Sequence, residues 1–437
     1  MTTHSPLAFT SVARHRHAAA ALIRVGAAAV PALLLASAPS SVSATTPPPE
    51  PSAPIPTSAE FDEQTITIGF ISPLTGPAAP AFASMEDGAN AAVDYLNSGN
   101  ARARGVTYEL EVRDSGADPN RDVVIIREFL DAGVPMVLGD VGSTQGFIAE
   151  QAAINDGAST IAFTSSPSVN IWTEAGADRD FPWAFGITGD DHDFVQPVFD
   201  AAAALTENAH IAQISLDTGT APTWRDRTEE LAEQAGLELD TAEVSPTITD
   251  ATAQLRDLQD SGADTLVVWA YGTSLQTILS NLDRVGWYPN VVALPDSSRQ
   301  EILDSVPADV MDQVVAGPLA ATFLSADGGE PSGVAAGFLG ALSTITGRGA
   351  GEYTESDFSA AYSFDAILAF DAALAAAGVV DAAAVRDVLD GGLVVEGAMG
   401  PHDWIEDRAG FDGAATGIFD PQEPCNQGTC VAVEIGS

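Results

Sequence analysis

Strand-like and helical runs alternate along this chain from Thr65 onward, and this alternation limits its fold more than any other feature. In the first half, runs of β-branched and aliphatic residues such as TITIGFI and PMVLG are separated by segments with helical periodicity. The predicted strands are 65–71, 108–114, 135–139 and 159–163, and the predicted helices between them are 85–97, 121–132 and 145–156. Such alternation is typical of a parallel sheet with helices on both faces, so the sequence predicts an α/β fold.

The same alternation starts again after a Gly- and Asp-rich break at 186–193. The predicted strands there are 210–216, 237–244, 265–270 and 291–294, and the predicted helices are 194–205, 223–235, 251–261 and 275–285. At 437 residues the chain exceeds the roughly 250 to 300 residues at which a single core stops growing. We therefore predict two lobes with parallel-sheet cores, followed by helices that include an apolar, buried run at 358–377.

The amino-terminal segment has the pattern of an export signal. Three arginines precede an apolar run at 25–36, and small residues suited to a signal peptidase follow at 42–44. We expect a signal peptide at 1–44, a Pro-rich linker at 45–64 and hence an exported protein, with no cysteine in the signal region to carry a lipid anchor. An uncleaved membrane anchor is the alternative, although Pro31 keeps the apolar stretch below the about 18 to 20 residues that span a membrane.

Charge and cysteine content narrow the possible partners. Lys+Arg number 17 and Asp+Glu number 61, so the formal net charge is -44, which argues against nucleic acid as a partner. A saline habitat is one explanation of this acidity, and composition bias from a GC-rich genome is another. Cys425 and Cys430 are the two cysteines, and we expect them to pair as a local disulfide, because no neighbouring His or Cys would complete a zinc site.

Several short motifs then follow one another in a particular order. The segment IGFISPLTGPAAPAFASMEDGANAAVDYLN at 68–97 ends a strand in a PLTG turn and continues into a helix with Gly in its first half and an AVxxxN ending. The later motifs are DSGADPNRDV (114–123), LGDVGSTQG (138–146), FTSSPSV (163–169), WAYGTS (269–274), LPDSS (294–298) and AMGPHDW (398–404). In this order the chain resembles the branched-chain amino-acid-binding family of type I periplasmic binding proteins, over nearly all of its length beyond the linker.

This resemblance implies two Rossmann-like lobes between which the chain crosses three times. Lobe 1 would comprise 65–187 plus 319–395, and lobe 2 would comprise 188–318 plus 396–437. The ligand would lie in the cleft between the lobes, at the carboxyl ends of the strands. The resemblance further implies a monomer without cofactor or metal, which binds an amino acid or a related small polar solute and delivers it to an ABC permease in the membrane.

The first candidate ligand contact follows the LGDVG strand and turn. Ser143 would cap the next helix, and Thr144 shares that helix start, so that hydroxyl groups and free backbone N–H groups would meet a ligand carboxylate. The resemblance gives the corresponding loop serine a similar role. A helix cap without any ligand is the alternative.

A second candidate contact follows the next predicted strand. Thr164, Ser165 and Ser166 offer hydroxyl groups, and the backbone carbonyl of Phe163 would accept a hydrogen bond from a ligand amine. By resemblance Ser165 matches the ligand-binding hydroxyl of the family, and a shift by one residue to Ser166 remains open. The alternative is a hydrogen-bonded turn ahead of Pro167.

Lobe 2 is expected to supply the wall that closes on the ligand. Tyr271 and Trp269 end a buried strand, with a core-facing Trp269 as the alternative, and Trp224 at a helix start is a candidate lid. Asp296 lies at a strand end that faces the expected cleft, where it would pair with an ammonium group. Its alternative role is a helix cap.

The chain also departs from the family pattern. Ala81 and Ala221 stand where relatives often present a tyrosine, and the acidic residue that some amino-acid binders use from lobe 2 falls near 247–249, where no carboxylate precedes Asp250. The usual partner of a ligand amine is therefore missing. A larger or differently charged ligand, an amide or a short carboxylate all remain open.

Two other classes of function compete with solute transport. An enzyme is disfavoured because the sequence has no G-x-S-x-G elbow, Walker-type loop or H-E-x-x-H motif. The acidic run at 190–193 is the one metal-like cluster, and we interpret it as a solvated helix start instead. A ligand-sensing receptor of the same fold, coupled to a signalling partner, is the other alternative.

Overall fold

Parallel strands occur in two separate sheets of the computed structural model. The structure describes residues 58–433 with gaps at 77–78, 117, 140–143, 158, 165–180, 190, 218–220, 326–328, 350–351, 354–356, 358, 405–407, 412–415, 424 and 426–428. The predicted signal peptide at 1–44 and most of the predicted linker lie outside the described residues.

The first sheet has five parallel strands in the order β2-β1-β3-β4-β5. Its strands are β1 Ala59–Ser72, β2 Ala103–Asp114, β3 Met136–Gly139, β4 Ile161–Thr164 and β5 Ala184–Gly186, and the helices between them are α1 Ala79–Tyr95, α2 Pro119–Asp131 and α3 Thr144–Gly157. Because every strand runs the same way, each helix carries the chain back across the sheet, as the alternating sequence predicts.

The start of β1 differs from the sequence prediction. Ala59 and Glu60 pair with Ala103 and Arg104 of β2, and a register irregularity separates this pairing from the main ladder that resumes at Gln64. The strand therefore takes in residues 59–64, which the sequence assigned to the linker. Acidic residues at 60, 62 and 63 hide the strand, since they are mostly exposed and leave no run of buried apolar residues to recognise.

The second sheet has six strands in the order β14-β10-β9-β8-β6-β7. Its strands are β6 His210–Leu216, β7 Glu238–Val244, β8 Thr265–Trp269, β9 Asn290–Ala293, β10 Val314–Ala320 and β14 Thr416–Phe419, and its helices are α4 Asp191–Leu205, α5 Ala221–Ala235, α6 Thr252–Ser261, α7 Gly272–Val285, α8 Gln300–Ser305 and α9 Ala308–Met311. The late strand β14 is antiparallel to β10, and the other pairs are parallel.

The two faces of the second sheet bury different sets of residues, because side chains alternate along a strand. In β8, Leu266 and Val268 pack into one hydrophobic cluster together with α6 and α7. Val267 and Trp269 pack into the other, together with residues of α4 and α5. Helices thus cover both faces of this sheet.

After β10 the chain returns to the first sheet through three helices, α10 Gly333–Thr346, α11 Ala360–Ala377 and α12 Ala382–Asp390. Among the described residues, α11 is the one helix long and apolar enough to span a membrane, but 78% of it is buried inside the protein, as expected for a core helix. It packs against α1 and the strands of the first sheet.

Two buried carboxylates fix the position of α11. Asp371 accepts hydrogen bonds from the backbone N–H groups of Arg102 and Ala103, at 2.7 and 3.2 Å, and from the Tyr108 hydroxyl at 2.8 Å. Burial of this carboxyl raises the pKa of Asp371, and these donors oppose that rise. One turn and a half earlier, Asp365 accepts from the backbone N–H groups of Ala398 and Met399.

The third crossing between the sheets lies later than the sequence predicts. Residues 396–411 were assigned to lobe 2, but Trp404 donates its indole N–H to the carbonyl of Gly186 at 2.8 Å, and His402 Nε2 lies 3.0 Å from Asp365. This segment therefore packs on the first sheet through Phe411, and the next described residue, Thr416, begins β14 of the second sheet. Its β-rich pattern resembles the neighbouring tail, so the sequence alone does not show which sheet it joins.

The tail contains small pairings beyond the main sheets. Strand β15 Cys430–Val431 pairs with β11 Leu324–Ser325, and β12 Val395–Glu396 pairs with β13 Pro401–His402. The structure joins Cys425 to Cys430 in a disulfide.

Packing between α1 and α11 depends on a glycine. A Cβ atom placed on Gly88 would overlap the carbonyl oxygen of Ala360 at the start of α11, whereas one placed on Gly340 in α10 would meet nothing within 4 Å. We expect Gly88→Ala to lower the free energy of unfolding by about 1 to 3 kcal/mol, because backbone must move to make room. Urea unfolding followed by circular dichroism measures this change.

Gly340→Ala is the matched control, since it adds the same methyl group at an exposed helical position. It should raise the free energy of unfolding by about 0.5 to 1 kcal/mol, because alanine loses less conformational entropy than glycine when it enters a helix. Equal effects of the two variants would show that α1 and α11 do not pack as closely as described.

Candidate ligand-binding site

The carboxyl ends of the first sheet's strands meet at one edge. Gly139 pairs with Ile71 on one side and with Thr164 on the other, and Thr164 pairs in turn with Gly186. The loops that follow these residues therefore start next to one another. Open α/β sheets bind small molecules at this edge.

One of these loops, the PLTG turn at 73–76, is held by Asp114 at the end of β2. The Asp114 carboxylate accepts the backbone N–H groups of Leu74 and Thr75, at 3.0 and 3.2 Å, and the Thr75 hydroxyl at 2.7 Å. It also accepts the N–H of Gly116 at 2.9 Å. The hydrogen bond from Thr75 is the main cause that lowers the pKa of Asp114, since these donors favour the charged carboxylate.

The serines predicted to bind the ligand carboxylate lie outside the described residues. These are Ser143, Ser165 and Ser166. Thr144 is the first residue of α3, so a helix does begin directly after Ser143 at the carboxyl edge, although the side chain of Thr144 is also outside the description. Their roles as ligand contacts therefore stay predictions.

Phe163 and Thr164 lie deeper than the sequence suggests. The N–H of Ile161 donates to the carbonyl of Pro135, directly before β3. Alternate residues of a parallel strand face the same neighbour, so the Phe163 carbonyl is directed at β3 within the sheet. Its ring packs 5.9 Å from the rings of both Phe185 and Trp404. Thr164 is buried and its carbonyl accepts the N–H of Ile187 at 3.1 Å. Phe163 thus serves the core, and its proposed contact with a ligand amine has no support in this geometry.

Ser72 is a candidate that the sequence analysis missed. It ends β1 opposite Asp114, is fully buried, and its hydroxyl has no hydrogen-bond partner among the described residues. Its place directly before the PLTG turn is the signal that would have pointed to it.

An aromatic cluster stands at the carboxyl edge of the second sheet. Trp269 ends β8, and its ring lies 5.0 Å from that of Trp224 and 6.3 Å from that of Phe194. Trp224 and Phe194 belong to the first turns of α5 and α4, which both start at this edge. Trp224 is buried against Trp269, and its role as a lid over the ligand stays a prediction. Phe194 was missed because it directly follows the acidic run at 190–193.

Asp296 caps a helix in this structure. Its carboxylate accepts the backbone N–H of Gly272, the first residue of α7, and pairs with the Arg299 guanidinium. Tyr271, directly before Gly272, is half-buried. The cap that the sequence left open as an alternative is thus present, and the predicted pairing of Asp296 with an ammonium group would compete with both of these contacts.

No group of three or more potential metal-binding side chains occurs in the part of the chain whose side chains are described. Helix α4 begins at Asp191, which agrees with a helix start for the acidic run at 190–193. Asp190 and the side chains of 191–193 lie outside the described residues.

Two α/β halves with largely parallel sheets, joined by three crossings, define the architecture of a periplasmic binding protein. The sequence profile of the periplasmic binding protein family matches residues 65–416. The chain therefore belongs to this family, in the type I group that includes the branched-chain amino-acid-binding proteins.

Individual relatives agree with this membership. The Leu/Ile/Val-binding protein BraC3 of Rhizobium johnstonii is 36% identical over 78 residues, which are 18% of this chain and 21% of that protein. The match thus spans about a fifth of the relative's length.

Solved structures share the fold at low identity. An extracellular ligand-binding receptor from Rhodopseudomonas palustris HaA2 has a TM-score of 0.70 at 16% identity, over 84% of this chain and 99% of its own. LivJ of Streptococcus pneumoniae, in complex with isoleucine, has a TM-score of 0.63 at 16% identity, over 78% and 92%. An R. palustris solute-binding protein in complex with 4-hydroxybenzoate has a TM-score of 0.65 at 14% identity, over 85% and 96%.

The anchoring of the PLTG turn predicts a pH-dependent stability. We expect Asp114→Asn to lower the free energy of unfolding by about 1 to 2 kcal/mol at pH 7, because the amide accepts fewer of the four hydrogen bonds. The pKa of Asp114 is lowered in the folded state, so its contribution is complete above the ordinary value of 3.8 and is lost as the pH falls below it. Urea unfolding between pH 3 and pH 7 should show the two proteins converge in acid.

Asp62→Asn, at an exposed position of β1, is the control and should leave stability unchanged at every pH. A constant difference between Asp114→Asn and the wild type across this pH range would contradict the anchoring role of the charged carboxylate.

Proposed function

We propose that this chain is the extracytoplasmic solute-binding protein of an ABC transporter, and that it binds an amino acid or a related small carboxylate in a cleft between its two halves. The observation that carries the proposal is the register of the strands in the two sheets. In each sheet, this register places the loops that follow the strands side by side at the carboxyl edge, and a helix starts from one of these loops. Solved relatives of the same fold bind isoleucine and 4-hydroxybenzoate, and a carboxylate is the group that these two ligands share.

In the first half, the carboxylate would meet the start of α3. Free N–H groups at a helix start carry partial positive charge and point outward, so they suit an anion without a basic side chain. Ser143 would add its hydroxyl directly before this helix, and Thr144 and Ser165 would complete the contact. The PLTG turn, which Asp114 holds by hydrogen bonds, would restrain the backbone at the same edge.

In the second half, Tyr271 and the cluster of Trp224, Trp269 and Phe194 would form the opposing wall. Ligand contacts that exist only when the halves approach would shift the population toward a closed form. The closed form would then be delivered to a membrane permease. Export through the signal peptide at 1–44 and a monomeric state belong to the same proposal.

A screen by thermal unfolding tests the function. A solute that binds the native state stabilises it by an amount that grows with the logarithm of the ratio of solute concentration to Kd. We therefore expect at least one small carboxylate, among amino acids and organic acids, to raise Tm. Solute delivery is the wrong function if no carboxylate changes Tm or gives heat of binding in calorimetry and if the protein instead converts a carboxylate into a product.

Ser143→Ala tests the site with the ligand found in that screen. Loss of a hydrogen bond to a carboxylate costs about 1.5 to 3 kcal/mol, so Kd should rise by roughly 10- to 150-fold. Ser332→Ala, which changes an exposed serine directly before α10, is the matched control and should leave Kd unchanged. An unaltered Kd for Ser143→Ala would remove α3 from the site.

A further inference from the structure

We propose that Asp365 is a positioning residue for ligand binding, because its buried carboxylate anchors all three connections between the two halves at one junction. A preformed junction keeps the connections ordered in the free protein, so a ligand does not have to order them when it binds. The statement on binding rests on the proposed function, whereas the junction itself is read from contacts of described residues.

The third connection includes the hairpin 395–402, and the Asp365 carboxylate lies against its turn. The carboxylate accepts the backbone N–H groups of Ala398 and Met399, at 2.6 and 2.9 Å. A Cβ atom placed on Gly397 would overlap the carboxylate, so the hairpin approaches this closely only because glycine stands there. Since Asp365 is fully buried, water does not compete for these bonds.

The first connection is tied to the same carboxylate through two aromatic side chains. His402 Nε2 lies 3.0 Å from Asp365, and the His402 ring lies nearly parallel to that of Trp404, at 13° and 6.1 Å. Trp404 donates its indole N–H at 2.8 Å to the carbonyl of Gly186, from which the first connection departs. His402 Nδ1 is buried without a partner among the described residues, so the ring proton is assigned to Nε2, where the carboxylate accepts it.

The second connection reaches the junction through a hydroxyl group. Thr322, two residues after the end of β10, donates this hydroxyl to the carbonyl of Ala398 at 2.7 Å. The peptide group between Ala398 and Met399 therefore donates to Asp365 and accepts from Thr322. Hydrogen bonds that pass through one peptide group polarise and strengthen one another.

Three segments far apart in sequence thus depend on one side chain. Two oxygens of the Asp365 carboxylate accept three donors, and the ties from Thr322 and Trp404 end on the residues that supply these donors or on their ring neighbour. Segments held by shared contacts open as one cooperative unit. Binding between the halves loses less affinity to ordering when this unit is already ordered.

Native-state hydrogen exchange of the full chain without any solute tests the junction directly. We expect the N–H groups of 184–188, 321–325 and 397–402 to share one free energy of opening in a urea series, smaller than that of global unfolding. Three separate free energies of opening would overturn the proposal.

Asp365→Asn should speed exchange in all three segments at least about ten-fold, because the amide presents N–H groups where the carboxylate accepts. Asp371→Asn is the matched control, since Asp371 lies on the same helix, is buried and also accepts three donors, but these belong to β2 and the residue before it. After correction for its effect on global stability, it should leave the three segments within about two-fold. Equal effects of the two variants would show that Asp365 serves the core alone.

Thr322→Val and Trp404→Phe each remove one tie and keep most of the side-chain volume, so they test the junction even if Asp365→Asn does not fold. Thr322→Val should speed exchange at 321–325, and Trp404→Phe should speed it at 184–188. Unchanged exchange in either case would remove that connection from the junction and overturn the proposal.

Calorimetry with L-isoleucine and 4-hydroxybenzoate measures the effect on binding, since solved relatives bind isoleucine and 4-hydroxybenzoate. For the solute that binds, we expect Asp365→Asn to raise Kd at least about five-fold and Asp371→Asn to leave it within about two-fold. An unchanged Kd beside faster exchange would refute the positioning role and leave the junction standing. If neither these solutes nor any acid of the thermal screen binds, the statement on binding fails together with the proposed function, and hydrogen exchange alone decides the junction.

Discussion

The parallel ladders are the constraint on which the rest of this protein depends. Hydrogen bonding in one direction obliges each connection to recross the sheet, so strands end together at one edge and helices begin there. In the first sheet, the pairing of Gly139 with Thr164 and of Thr164 with Gly186 sets three loop starts side by side. The register thereby determines which loops share an edge before any of their side chains is considered.

Buried carboxylates secure the apolar helix α11 where hydrophobic packing alone would leave its rotation and height undefined. Asp371 satisfies two backbone N–H groups and the Tyr108 hydroxyl near β2, and Asp365 holds the 398–399 backbone at another level. Each charge has several donors, which is the condition under which a buried carboxylate is tolerated. The close approach at Gly88 fixes the same helix from the side of α1.

Much of the fold could be predicted, because the periodicity of apolar residues marks each strand and helix within its own short stretch of sequence. Predicted strands at 210–216 and 135–139 match β6 and β3 closely. The start of β1 could not be predicted, since exposed acidic residues hide a strand at 59–64. The position of the third crossing could not be predicted either, since only the tertiary contacts of Trp404 and His402 show which sheet the 396–411 segment joins. Both errors concern partners distant in sequence.

The helix start at the carboxyl edge of the first sheet was predictable, whereas the partners of individual side chains were less so. A polar loop after a strand marks an edge, so the start of α3 at Thr144 could be placed. Whether a carboxylate such as Asp296 faces a ligand or caps a helix depends on its nearest donors, here Gly272 and Arg299, which no sequence spacing reveals. Trp224 likewise needed its neighbour Trp269 to be recognised as part of a buried aromatic cluster.

The bond between Trp404 and Gly186 has a mechanical consequence. It fastens the outgoing first connection to the segment that leads into the third, and the Gly186 N–H donates to the carbonyl of Arg408 as well. The first and third connections are thus tied to each other at the first sheet, through Gly186 on one and through Trp404 and Arg408 on the other. A displacement of one connection would therefore be transmitted directly to the other.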